Sequence, residues 1–178
     1  MEAAAQIFER HGYAAGTTNR IAERAGVSIG SVYQYFADKD ELLRAVAEQH
    51  LADAGARVAE ELAALDDDPP PQAAIAGVLQ ALVELHRDRP RLHRLLFEEA
   101  PLPSALRATL RDLEAAAAAH VAAYLARRPV PPPEPLVTAR LLVEAVEAWA
   151  HRFVIHPHDG EDEAAFVDAA ARLLAAGL

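Results

Sequence analysis

Apolar residues recur at steps of three and four along almost the whole chain, and no alternating β-branched run bounded by turn residues interrupts them. A helix needs the first pattern and a strand the second, so the fold is expected to be all-α. Prolines and glycines cut the periodic stretches at Gly12 and Gly16, Gly26, Asp66 through Pro71, Pro90, Pro101 and Pro103, Pro129 through Pro135, and Pro157 to Gly160. About nine helices fit between these breaks, roughly at 2–12, 18–25, 29–35, 39–65, 72–88, 91–98, 103–127, 135–155 and 162–176.

Several classes of function fall away. The chain has no cysteine, which excludes disulfides, thiolate zinc sites and cysteine nucleophiles. Its 178 residues are 52% hydrophobic, enough for a sizeable core, yet no uncharged apolar run reaches the roughly 18 residues of a membrane span. The start, MEAAAQIFERHG, has charge and helical spacing where a secretion signal needs a basic start and a long apolar run, so the cytoplasm is the expected compartment and no membrane partner is expected. No glycine-rich phosphate loop, G-x-S-x-G or convincing pair of carboxylates is present, and an enzyme is not expected.

The stretch TTNRIAERAGVSIGSVYQYFADKDELL, residues 17–43, is the most informative. Thr17 or Thr18 can cap a helix with Ile21, Ala22 and Ala25 on its apolar face. Gly26 permits the backbone turn out of that helix, Val27 is expected to plug the corner, and Ser28 can cap a second short helix. Two helices joined by such a turn form a helix-turn-helix, whose second helix can enter the major groove. On that helix Val32 and Phe36 share the inward face, which leaves Ile29, Gly30, Ser31, Gln34 and Tyr35 outside. Gln34 can pair bidentately with adenine, Ser31 can donate or accept, and Gly30 lets the backbone come close.

The same residues fit T-x-x-x-I-A-x-x-A-G-V-S-x-G-x-[VL]-Y-x-Y-F-x-x-K-x-x-L-L, and over about 30 positions the segment resembles the DNA-binding domain of the tetracycline-repressor family of transcriptional regulators. The resemblance implies that Thr18, Tyr33, Tyr35 and Lys39 grip phosphates, and that Asn19, Ile29, Gly30, Ser31, Gln34 and Tyr35 lie near base edges. It further implies a helix-turn-helix domain over residues 1–44 and a helical regulatory and dimerisation domain over residues 45–178. The function it implies is a homodimeric repressor of a palindromic operator on double-stranded DNA, released by a small-molecule effector. Family members carry a short, often basic segment before the first helix. Here Met1 sits almost inside that helix, so either the start is truncated or the protein does without those contacts.

Charge is the objection to DNA as a partner, since the formal net charge is −10. Residues 1–44 hold five basic and six acidic side chains, and the remainder twelve and twenty-one. The reader is therefore near neutral under an acidic regulatory part, and local phosphate contacts outweigh the global sum. Lys39 is the only lysine in the chain. A helical protein-interaction module, or an enzyme, without sequence-specific DNA binding is the alternative.

In the remainder, the helix near 39–65 carries one stripe through Leu43, Val46, Ala47, His50, Leu51, Ala54, Val58, Leu62 and Leu65 and reads as a connecting rod. The helix LVTARLLVEAVEAWAHRFVI is apolar around most of its circumference, and with the last helix it is expected to form a four-helix dimer seam. An effector cavity is expected to use Val78, Leu82, Leu85, Leu96, Phe97, Leu142, Val146 and Trp149. Arg140, Glu144, Glu147 and His151 form one polar stripe: either a solvent face or seam rim, or a stripe in which Glu144 or Glu147 meets a cationic ligand. His151, His156 and His158 lie close to Asp159, Glu161 and Asp162, but Pro157 splits them and no His-x-x-x-His spacing occurs, so a solvated acidic loop is expected. No metal and no cofactor are expected.

Overall fold

The computed structural model describes residues 1–100, 103–157, 160 and 162–178; Pro101, His158, Asp159 and Glu161, read above as parts of chain breaks and of the acidic loop, lie outside them. The described residues form α1 (Glu2–Ala15), α2 (Thr18–Ala25), α3 (Ile29–Tyr35), α4 (Lys39–Ala63), α5 (Pro71–Asp88), α6 (Pro90–Arg94), α7 (Ser104–Ala126), α8 (Pro135–Ile155) and α9 (Glu163–Ala175). No strand occurs among them, and the all-α expectation holds. A 3₁₀ turn, Ala64–Asp67, ends α4, and a π-helical turn, Leu95–Glu99, continues α6.

One boundary agrees in detail and one differs. The helix expected to stop at residue 12 breaks there, Gly12 leaving helical geometry at φ 72 and ψ 173, and a short further turn to Ala15 follows, the Gly16 amide donating to the Gly12 carbonyl at 3.0 Å. The helix expected over 91–98 changes hydrogen-bond pattern midway, and the Ala100 amide closes the wider turn on the Leu95 carbonyl at 2.8 Å.

The chain forms two compact units, one of Met1–Asp53 with Arg89–Ala108 and one of Ala54–Asp88 with Thr109–Leu178. The first buries Ile7, Phe8, Ile21, Leu43, Val46 and Leu95. Arg89 pairs with Glu2 at 2.7 Å and tethers the start of α6 to the start of α1. That contact, followed by a hydrogen bond from Gln6, holds the Glu2 carboxyl below its usual range.

The second unit is centred on α5, which lies against both α8 and α9. Ile75, Leu79 and Val83 of α5 meet Val146 and Ala150 of α8 and Val167, Ala170 and Ala171 of α9. The small alanines let the backbones approach, and Phe153 stacks on Phe166 with centroids 4.3 Å apart. A second cluster joins Leu65, Ala118, Tyr124, Leu125 and Ala139. The acidic, proline-rich corner is pinned from α7. Tyr124 donates its hydroxyl hydrogen to the Pro69 carbonyl at 2.5 Å, and Arg128 pairs with Asp68, which occupies the left-handed region at φ 55.

Two glycines make opposite predictions. A Cβ on Gly16 would lie 2.6 Å from Phe8 Cδ1 and 2.9 Å from the Gly12 carbonyl oxygen, so this glycine is there for space. Gly16→Ala is expected to destabilise the fold by about 1–3 kcal/mol, the usual cost of overpacking. A Cβ on Gly55, inside α4, makes only ordinary contact with Leu113 at 3.4 Å, so Gly55→Ala is expected to add about 0.5–1 kcal/mol. Urea unfolding of both variants checks the contrast; equal signs would show that the Phe8 contact is not tight.

Candidate nucleic-acid interface

The α2–α3 corner is built from local hydrogen bonds. Thr17 is the cap of α2, its hydroxyl oxygen accepting from the Arg20 amide at 3.4 Å. Gly26 leaves the helix at φ 69; its amide donates to the Glu23 carbonyl and the Val27 amide to the Ala22 carbonyl, each at 3.1 Å. This paired closure requires a left-handed residue at Gly26, which a β-carbon would strain. Val27 does not plug the corner with its side chain, which is 47% exposed. It closes the turn through its backbone. Ser28 caps α3 by accepting from the Ser31 amide at 3.0 Å, and the two serine hydroxyls share a further hydrogen bond of 2.8 Å.

Helix α3 buries only Val32. Phe36 is half-buried and lies one residue past the helix in extended conformation, its amide still donating to the Val32 carbonyl at 3.0 Å. Ile29, Gly30, Tyr33, Gln34 and Tyr35 are exposed, Tyr35 at 78%. Ser31 is half-buried with its hydroxyl engaged by Ser28, so it meets a partner as part of the cap. On α2, Asn19 is exposed, and the Thr18 hydroxyl lies 3.2 Å from that of Tyr33. The structure thus gathers two hydroxyls at the α2 start and a row of small, uncharged or aromatic side chains on α3.

Lys39 opens α4 and is more tightly held than the sequence suggests. Its ammonium donates to the Tyr13 carbonyl at 2.9 Å and lies 4.0 Å from the centre of the Tyr13 ring. The next residue, Asp40, accepts the Tyr13 hydroxyl hydrogen, and this bond, followed by burial and the Asp40 and Asp38 charges, raises the phenol above its usual range. Asp38 caps α4 by accepting from the Glu41 amide at 2.8 Å, and Glu41 reaches back to the Ala37 amide at 2.7 Å. Tyr13 is the residue that motif reading missed. Its position directly after Gly12, facing an acid–lysine–acid run, was the available signal.

The residues expected around an effector divide between the units. Val78, Leu82, Leu85, Leu142, Val146 and Trp149 belong to the apolar cluster of the second. Leu96 and Phe97 belong to the first, where Leu96 lines a cavity of about 240 Å³ with Tyr13, Asp40, Leu43, Arg44, Ala47, Ala100 and Pro103. The polar stripe of α8 also divides: Arg140 and Glu144 are exposed, while Glu147 and His151 turn partly inward.

Comparison with known proteins agrees with this geometry. Residues 1–46 match bacterial regulatory proteins of the tetR family, and residues 70–178 match the tetracyclin repressor-like C-terminal domain. A helix-turn-helix transcriptional repressor of Streptomyces coelicolor is 35% identical over 98 residues, covering 55% of this chain and 46% of that protein. The matched stretch spans less than half the length of such curated relatives. Among solved structures, a TetR/AcrR regulator from Thermobifida fusca shares the fold with a TM-score of 0.73 at 22% identity, covering 99% of this chain and 94% of the other. AibR, solved in complex with isovaleryl coenzyme A and operator DNA, gives 0.69 at 17% identity over 99% and 96% of the two chains. The C-terminal match alone spans more than half of the sequence, and together with the N-terminal match it makes this chain a member of the tetracycline-repressor family of transcriptional regulators.

Proposed function

We infer that this chain represses transcription as a homodimer: residues 1–44 of each protomer present α3 to the major groove of a palindromic operator, and a small molecule bound by the helical remainder, residues 45–178, releases it. The observation that carries this reading is the outward face of α3. A seven-residue helix that buries one side chain and exposes Ile29, Gly30, Tyr33, Gln34 and Tyr35 gives its own fold little, and those side chains suit base edges. Gln34 pairs with adenine, Ile29 meets a thymine methyl, and Gly30 admits the backbone. Thr18, Tyr33 and Tyr35 direct hydroxyls at phosphates beside Asn19 and the α2 start, while Lys39 supplies one fixed positive charge.

Dimerisation is supported by apolar side chains that the second unit leaves outside. Val137 and Leu141 of α8 share a face, Leu141 being 63% exposed, and Leu173 of α9 is 67% exposed. Such side chains gain about 25 cal/mol per Å² when a partner covers them. Trp149, partly buried, packs on the unit's own core. The apolar cluster of Val78, Leu82, Leu85, Leu142, Val146 and Trp149 supports an apolar effector bound among these side chains.

Gln34→Ala is expected to relax base preference, at a cost of about 1–3 kcal/mol on the preferred duplex alone. Lys39→Ala is expected to weaken all duplexes nearly equally and to lower the salt slope by about one. Because Lys39 also holds Tyr13, this variant should melt earlier than wild type, whereas Gln34→Ala should not. Binding titrations against specific and random duplexes at several salt concentrations check the pair; identical behaviour of the two variants would remove the assignment.

Leu141→Glu and Leu173→Glu are expected to yield monomers with weakened operator binding, since each would bury an unpaired charge in the seam. Light scattering reads this directly. A wild-type monomer at micromolar concentration would overturn both the seam and the palindrome.

A further inference from the structure

The first unit carries a cavity that takes no part in the face of α3 and does not belong to the apolar cluster of the second unit. Its lining is apolar at depth: Leu43 and Ala47 of α4 and Leu96 of the π-helical turn are all buried. The polar members lie nearer water, Tyr13 and Arg44 being half-buried and Asp40 exposed. Asp40 and Arg44 stand one helical turn apart on α4 and so point the same way. The volume of about 240 Å³ equals about eight water molecules at about 30 Å³ each, which is room for a small organic molecule.

The two charges in this lining differ in what already meets them. Arg44 is answered twice, by Glu41 at 3.0 Å and by Glu48 at 3.2 Å. Asp40 accepts the Tyr13 hydroxyl hydrogen, and among the described residues no cation stands within ion-pair distance of it. Its neighbour Lys39 is turned to the Tyr13 carbonyl instead. A carboxylate accepts through both oxygens, so Asp40 keeps one for a further donor. The surroundings have the same sign: residues 38–48 hold Asp38, Asp40, Glu41 and Glu48 against Lys39 and Arg44. The charge left to be compensated is negative.

We propose that this cavity binds a small apolar amine in its ammonium form, the body lying on Leu43, Ala47 and Leu96 and the ammonium donating to the Asp40 oxygen that Tyr13 does not use. The apolar lining supplies most of the affinity, because covering it removes hydrocarbon from water, whereas an ion pair at an exposed carboxylate is worth little alone. The carboxylate supplies the choice of head group. A ligand carboxylate would have to displace Glu41 or Glu48 from Arg44 and would face Asp40 as a like charge. The site lies within the first unit and does not rest on the operator reading.

The probe is 2-phenylethylamine, compared with 2-phenylethanol, which has its shape without the charge, and with phenylacetate, which has the opposite charge. Methyl NMR titration of the full chain near pH 7 is expected to give the amine a dissociation constant on the order of a millimolar or below, with shifts concentrated at Leu43, Ala47 and Leu96. The alcohol is expected to bind at least about threefold more weakly, and phenylacetate more weakly still. Asp40→Asn, which keeps the shape and an acceptor for Tyr13, is expected to bring the amine to the affinity of the alcohol. Ala100→Leu, which adds bulk to the lining at a half-buried position, is expected to weaken both alike. Glu147→Gln, in the second unit, is expected to change neither. Helical circular dichroism confirms that each variant is folded. Shifts confined to the second unit, equal affinities of wild type for amine and alcohol, or a preference for the amine that survives Asp40→Asn would overturn the site. Loss of operator binding would not bear on it.

Discussion

Two adjacent residues at the start of α4 hold the reading head in shape. Lys39 donates to the carbonyl of Tyr13 and lies over its ring, and Asp40 accepts from its hydroxyl. Tyr13 sits directly after the Gly12 kink, so this clasp fixes the direction in which α1 ends and α2 begins. Gly16 then brings the backbone against Phe8, which is fully buried. With both ends of the α2–α3 corner held, a helix as short as α3 needs only the Ser28 cap and Val32 to stay formed, although an isolated helix of that length would be unstable in water.

The head achieves this with almost no net charge. A basic reader gains affinity for any duplex, whereas a near-neutral one with small polar and aromatic side chains has little general attraction to lose. In the proposed reading its discrimination rests on hydrogen bonds that the wrong base leaves unmade. In the proposed reading Lys39 serves two ends, since the charge that braces Tyr13 stays close to the α4 start, and a fixed charge would lose less side-chain entropy on binding than an extended one. The acidic character of the remaining chain is kept out of the sequence of the reader, which holds five of the seventeen basic residues and six of the twenty-seven acidic ones.

Most of the helical layout was legible because it follows from local chemistry. Thr17, Gly26 and Ser28 act within a few residues of themselves, and the corner and caps they imply are present. Features set by contacts distant in sequence were less legible. Nothing in spacing alone says that Val27 stays outside. The stripe Arg140–Glu144–Glu147–His151 is continuous on paper, yet its second half turns partly inward while its first half stays in water.

That buried half-stripe bears on how a ligand could control the head. A carboxylate held in the core raises the free energy of the arrangement that buries it, and whatever compensates the charge lowers it again. Control of the operator requires such a compensating group to favour one arrangement of the protein over the other, because tight binding to both shifts nothing. The coupling needed is modest, about 1–3 kcal/mol in typical allosteric proteins. In the proposed reading, an apolar molecule among Leu82, Leu85 and Val146 and a positive charge at Glu147 would act on the same helices, α5 and α8, by different physics. The apolar molecule adds buried area, and the charge removes a penalty already present. If the arrangement that buries Glu147 is the one that fits the operator, compensation strengthens repression; if it is the other, compensation releases it.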